Sequence, residues 1–106
     1  MPDWIQLHED HMDGAFEEVG FIRVRPEEFA ARHRISFTER DQTTARGPVS
    51  YAFLELRSGA QVFLQHEPRL SAPGIWVYAS LGADKAALCS ELAAAFGIED
   101  GAILPY

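Results

Sequence analysis

Cysteine occurs once in these 106 residues, at Cys89, so no internal disulfide can form. A secreted domain of this size usually carries several cysteines, and their scarcity points to a reducing compartment. Lysine is equally scarce, with one Lys against eight Arg, a bias that, beside abundant Ala, is attributed first to genome composition. No apolar run approaches the roughly 18–20 residues that a membrane span needs. Met1-Pro2-Asp3-Trp4 supplies neither a basic n-region nor an apolar h-region, so no signal peptide is expected and the expected location is cytoplasmic. No repeat with a period of 20–50 residues and no low-complexity segment is visible. Also lacking are Ser-x-x-Lys, G-x-S-x-G, phosphate-cradling glycine loops and paired-cysteine zinc motifs.

What is present is an apolar fraction of 47% spread along the whole chain, which excludes intrinsic disorder and fits a single α+β domain over residues 1–106. The net charge of −7 is unevenly placed. Residues 1–20 hold Asp3, Glu9, Asp10, Asp13, Glu17 and Glu18 and no Lys or Arg, so the acidity is concentrated in an N-terminal segment of about residues 1–18 and the remainder is nearly neutral. Six of the nine basic residues lie between Arg23 and Arg46. The acidic segment is read as solvated, or as folding back on that Arg-rich stretch or meeting a basic partner. Nucleic acid is not an expected partner, because phosphate binding needs a concentrated basic footprint.

Along the chain, Trp4–Leu7 fits either a short helix capped by Asp3 or a short strand, and Met12-Asp13-Gly14 reads as a turn. Residues 19–25 (VGFIRVR) read as a strand. Pro26-Glu27-Glu28 opens a helix to His33, with proline where no N–H is needed and carboxylates at the positive end of the dipole. Ile35–Thr38 fits a short strand, and residues 39–48 (ERDQTTARGP) read as an exposed loop. The clearest unit is Val49–Arg57 with Ala60–His66, a hairpin closed by Ser58-Gly59. A two-residue turn there places Phe53 opposite Leu64, Glu55 opposite Val62 and Tyr51 opposite His66. Residues 67–74 (EPRLSAPG) are a loop, and Ile75–Ser80 is the next strand. Asp84 caps a helix over Lys85–Phe96 that Gly97 ends, with Leu88, Leu92 and Phe96 on one face. Ala102-Ile103-Leu104 fits an edge strand.

The expected fold is therefore α+β: a mostly antiparallel sheet of about four or five strands with two helices, the C-terminal one packed on one face. The hairpin carries apolar residues on both faces, whereas a sheet with one wet face alternates more cleanly. The second face needs cover, from the N-terminal segment through Trp4, Ile5 and Leu7, from a second copy, or from another protein or ligand. Trp76 and Tyr78 share one side of their strand and are candidate interface anchors beside an expectation of core packing.

Among polar groups, His8-Glu9-Asp10-His11 is the one dense set of metal-ligand types. On a helix His8 and His11 would share a face, suiting zinc or nickel, but the spacing matches no specific motif and a solvated pair explains it. His33 ends its helix, where a cationic imidazole would favour the dipole. His66 precedes Glu67, Pro68 and Arg69 at a loop mouth, with Glu39, Asp41 or Glu67 as candidate partners for acid–base work. Cys89 lies beside the apolar stripe of the last helix and reads as a structural thiol.

The stretches PEEFAARH (26–33), FTERD (37–41), FLELRSG (53–59) and VFLQHEPRLSAPG (62–74) resemble a set of small bacterial α+β proteins with no assigned activity. The resemblance covers roughly residues 20–105 and implies a stand-alone bacterial domain; it brings no activity, cofactor or site residue with it. The sequence thus points to a non-enzymatic interaction or regulatory module, immunity- or antitoxin-like in one version, whose partner is another protein or itself. Its binding candidates are Trp76, Tyr78, His66 and Arg69, with no cofactor expected. The alternatives are a small metal-binding protein or enzyme centred on His66 or on His8 and His11, and a structural homodimer.

Overall fold

The computed structural model describes residues 3–7, 14–40, 49–66, 74–98 and 103–105. In chain order they form strands β1 (Trp4–Leu7) and β2 (Phe16–Ile22), helix α1 (Pro26–His33), strands β3 (Thr38–Arg40), β4 (Val49–Leu56), β5 (Gln61–His66) and β6 (Ile75–Ser80), helix α2 (Lys85–Phe96) and strand β7 (Ile103–Pro105). Seven strands make one sheet in the order β1-β4-β5-β6-β2-β7, with β3 also paired to β4, and all pairs are antiparallel. The α+β class and the C-terminal helix on one face are as expected; the short edge strands β1, β3 and β7 enlarge the sheet. Because β5 occupies one edge of β4, β1 and β3 lie end to end along the other, and the Gln6 amide bridges them. It donates to the Ser36 carbonyl at 2.6 Å and accepts from the Ser36 N–H at 3.0 Å.

Trp4–Leu7 is a strand, which settles the choice that local propensity left open. Residues 23–25 and 35–37, expected in strands, lie outside β2 and β3, and Glu39 and Arg40 belong to β3 rather than to a loop. The expected loop segments 41–48 and 67–73 lie outside the described residues.

Both helices carry their boundaries in the sequence. Pro26 starts α1, and Arg34 ends it in the left-handed region (φ 56°), its N–H bonded to the Ala30 carbonyl. In α2 the Asp84 carboxylate accepts from the Ala87 N–H at 3.2 Å, and Gly97 (φ 66°) turns the chain out, its N–H reaching the Ala93 and Ala94 carbonyls. The helices cover the same side of the sheet. Leu88, Leu92, Ala93 and Phe96 of α2 and Phe29 of α1 meet Ile22, Ala52, Leu54, Leu56, Val62, Leu64, Ile75, Val77 and Ala79 in one buried core.

The central hairpin differs from expectation by one residue. The Leu56 N–H bonds to the Ala60 carbonyl and the Gly59 N–H to the Leu56 carbonyl, both at 2.8 Å, so the loop holds three residues, Arg57-Ser58-Gly59. Gly59 has φ 93°, the conformation such loops demand of their last residue. Phe53 therefore faces Phe63, Leu54 faces Val62, Tyr51 faces Gln65 and Ser50 faces His66. A slip of one residue turns every β5 side chain over: Val62 and Leu64 join Leu54 and Leu56 under the helices, and Phe63 joins Tyr51 and Phe53 on the far side. The α2 residue Glu91 fastens this loop, accepting from the Ser58 hydroxyl at 2.5 Å and the Ser58 N–H at 3.1 Å.

Strand β2 carries a bulge. Glu18 pairs with Tyr78 and Gly20 with Val77, so Val19 is an extra residue, and both Val19 and Gly20 are buried. Glu18 and Phe21, three positions apart, would otherwise lie on opposite faces. The bulge puts both on the face away from the helices.

Candidate functional site

That outer face is built from alternate strand positions. Reading straight across the register, Leu7 on β1 faces Phe53 on β4, Phe53 faces Phe63 on β5, Phe63 faces Tyr78 on β6, and Tyr78 faces Glu18 on β2. At strand spacings of about 4.8 Å, this row spans roughly 19 Å. A second row runs Tyr51, Gln65, Trp76, Phe21. The rings interlock. Phe53 and Phe63 stack with centroids 5.8 Å apart at 9°, Phe63 meets Tyr78 at 4.3 Å, and Phe16 reaches over β6 to meet Phe63 edge-on at 5.4 Å. Trp76 packs on Phe21 at 4.6 Å. These are ordinary aromatic pair geometries, each stabilising by about 0.5–1.5 kcal/mol beyond its buried area. All of these rings are half-buried, whereas core residues such as Leu54 and Leu64 are fully enclosed. Ile5, at the rim, is 50% exposed.

The polar members of the face are few. The Tyr78 hydroxyl donates to Glu18 Oε1 at 3.0 Å, while Glu18 Oε2 is buried and accepts no hydrogen bond. Glu55 is the other acidic residue at these positions on β1, β2, β4, β5 and β6, and on β3 Arg40, opposite Val49, stands at a position of the same face.

Trp76 and Tyr78 thus lie together, as the alternation of β6 implied. His66 does not join them. It faces Ser50 on the helix side of the sheet, its ring edge-on to Phe37 at 5.3 Å. Burial holds its pKa below the ordinary 6.5, and the Glu27 carboxylate pulls the other way. The acidic neighbour is therefore Glu27, on α1, to which nothing in the linear order pointed. Glu39 shares the row with Ser50 and stands two strands, about 10 Å backbone to backbone, from His66, and no hydrogen bond or ion pair joins the two. Asp41 and Glu67 lie outside the described residues, as do Arg69, His8 and His11, so the expected metal pair is not described. Among the described residues no group of three or more His, Cys, Asp or Glu side chains is close enough to hold a metal. Ser50 is the one buried polar residue in the described core, and no hydrogen bond links it to His66.

His33 corrects the dipole argument. Its ring sits among Phe29, Phe96 and Trp4, at 4.6, 5.0 and 5.7 Å, and burial, with Arg32 beside it, lowers its pKa. Burial favours the neutral imidazole over the cation that the helix end would favour. Trp4 is in this cluster, also packing on Phe96 at 4.8 Å, so β1 extends the sheet edge-on and cannot lie over the outer face as cover. The acidic residues described near the N-terminus pair with Arg57 (Asp3, 3.5 Å) and Lys85 (Glu17, 3.9 Å), not with the Arg23–Arg46 stretch. Cys89 packs half-buried against the core.

Both histidines have folded-state pKa values below 6.5. As pH falls, the unfolded chain takes up these protons first, so their contribution is fully present above the unfolded value and declines as pH drops through it. The melting temperature is expected to fall between about pH 7.5 and about pH 5.5, and a His33→Phe, His66→Phe double variant to flatten that part of the profile. A profile left unchanged by the double variant would exclude the two imidazoles as the cause.

The architecture is that of an antiparallel sheet with two helices on one face and aromatic rows on the other. No known protein family, no curated protein and no solved structure matches this chain. Among the described residues no helix is long and apolar enough to cross a membrane.

Proposed function

We propose that the protein is a non-enzymatic interaction module that docks a segment of another protein on the outer sheet face, around Phe53, Phe63, Trp76 and Tyr78. The observation that carries this reading is the continuous row Leu7–Phe53–Phe63–Tyr78, one large apolar side chain per strand, on the face opposite both helices. Aromatic residues with a polar tip are the side chains most enriched where interfaces gain their affinity. A bacterial cytoplasmic regulator, immunity- or antitoxin-like in one version, is the concrete setting in which we place it. A second copy fits the face less well. Each protomer would bring Glu18 and Glu55 against a single arginine position, Arg40 at the β3 edge, and like charges buried together oppose association.

Selection of a random peptide library on the immobilised protein tests the reading. The expected result is a convergent peptide whose binding protects β5 and β6 amides from exchange and is lost in a Phe63→Ala, Trp76→Ala variant that still melts cooperatively. Absence of convergence, or binding that survives the double variant, would sink the proposal. A reversible dimer dissolved by the same two substitutions would replace the foreign partner with a second copy.

A further inference from the structure

The edges of the sheet are not alike. Among the described residues its edge segments are β1, β3, β7 and the half of β2 that β7 does not reach. A bare strand edge invites another strand, and folded proteins guard against it with charge, proline or a bulge. Three of these segments are guarded. β3 carries Glu39 and Arg40, the open half of β2 carries Glu17, Glu18 and the bulge at Val19, and β7 carries Pro105. β1, Trp4-Ile5-Gln6-Leu7, has none of these devices, and its Ile5 is 50% exposed.

Two hydrogen bonds fix where the backbone groups of β1 point. The Arg57 N–H donates to the Asp3 carbonyl at 3.0 Å, while the Leu56 N–H turns the other way, to the Ala60 carbonyl beside β5. Bonding alternates residue by residue in an antiparallel pair, so Asp3, Ile5 and Leu7 aim their N–H and C=O groups at β4. Trp4 and Gln6 aim theirs away from the sheet.

We propose that β1 pairs antiparallel with β1 of a second copy across a two-fold axis at Ile5, joining two sheets into one. In that register Trp4 faces the partner's Gln6 and exchanges both N–H···O bonds with it, and symmetry repeats the pair. Ile5 meets the partner's Ile5 as a non-hydrogen-bonded pair, the kind in which side chains approach most closely. Asp3, the one charged residue from 3 to 7, already meets Arg57 at 3.5 Å. The two Glu55 positions lie three strand spacings, about 14 Å, apart, beyond the screening length in physiological salt. With β1 consumed on both copies and the other edges guarded, assembly stops at two. So short a strand pair buries less than the roughly 800 Å² per partner of a standard interface, so the dimer is reversible. It forms at an edge and does not depend on what the outer face binds.

Sedimentation velocity from about 10 μM to about 1 mM is expected to show the mass rising from 11.8 kDa toward twice that value. Amide exchange is expected to slow with concentration at Trp4 and Gln6, whereas Ile5 and Leu7, bonded to β4, stay protected throughout. Ile5→Lys sets like charges at the axis and is expected to weaken the dimer about tenfold, while a cooperative melt confirms its fold. The Phe63→Ala, Trp76→Ala variant is expected to leave the dimer intact. In a Cys89→Ser background, Ile5→Cys is expected to oxidise to a covalent dimer and Gln6→Cys is not, because Cα atoms of the Ile5 pair stand about 4.5 Å apart, within disulfide reach. A monomer at every concentration would overturn the proposal and leave the reading of the outer face standing. A crosslink formed by Gln6→Cys alone, or a dimer that Ile5→Lys leaves intact, would also overturn it.

Discussion

Leu64→Ala is expected to lower stability by about 2–5 kcal/mol, and Phe63→Ala, one residue away, by a smaller amount of about 1–3 kcal/mol, since ring pairings that share one side chain do not add. Leu64 is fully buried between the sheet and the helices, so truncation leaves a cavity that close-packed neighbours refill only in part. Phe63 is larger, but its ring is half-buried on the outer face and loses mainly its pairings with Tyr51, Phe53, Tyr78 and Phe16. Chemical denaturation of the two variants reads the difference directly. The experiment also tests the hairpin register. A two-residue Ser58-Gly59 turn would put Phe63 under the helices and Leu64 outside, and the order of the two effects would then reverse. Since the interaction proposal needs Phe63 outside, a larger loss for Phe63→Ala would remove its basis.

Gly74→Ala is expected to be disruptive for a single added methyl, costing about 1–3 kcal/mol. Gly74 is buried directly beneath Phe21, and a Cβ there would overlap the phenyl ring. The ring must move away, and it moves against Trp76, its stacking partner at 4.6 Å. A shifted tryptophan emission together with a lowered melting temperature is the expected signature. An unchanged emission spectrum would mean that Phe21 does not rest on Gly74. Any ligand that reaches the second aromatic row would be weakened by the same change, which makes Gly74→Ala a probe of that row without altering an aromatic residue.

Local chemistry along the chain determined much of this protein. Proline and two glutamates started α1; Asp84 and Gly97 bounded α2, and Leu88, Leu92 and Phe96 marked its buried face. Alternation in β6 put Trp76 and Tyr78 on one side of the sheet. These signals act within a turn or two of chain, where capping, helical spacing and strand pleat are read directly from neighbours. Tertiary structure alone decided the rest. The strands β1 and β3 form because β4 offers them an open edge, not because four or three residues have a strong strand preference. Rings from β1 and α2 bury His33 and lower its pKa, and the Glu27 carboxylate acts on His66 because α1 packs on that side of the sheet.

The candidate site lay between these extents. Its aromatic anchors at Trp76 and Tyr78 were legible, but Phe63 and Glu18 were not. One depended on whether the hairpin loop held two residues or three, since a single residue reverses a strand's faces and Gly59 permits either loop. The other depended on a bulge at Val19, which no residue type announces because an extra residue in a strand is defined only against its partner. Residue types are written in the chain; pairing across the sheet decided which of them share a face, and that brought Phe63 and Glu18 beside Trp76 and Tyr78.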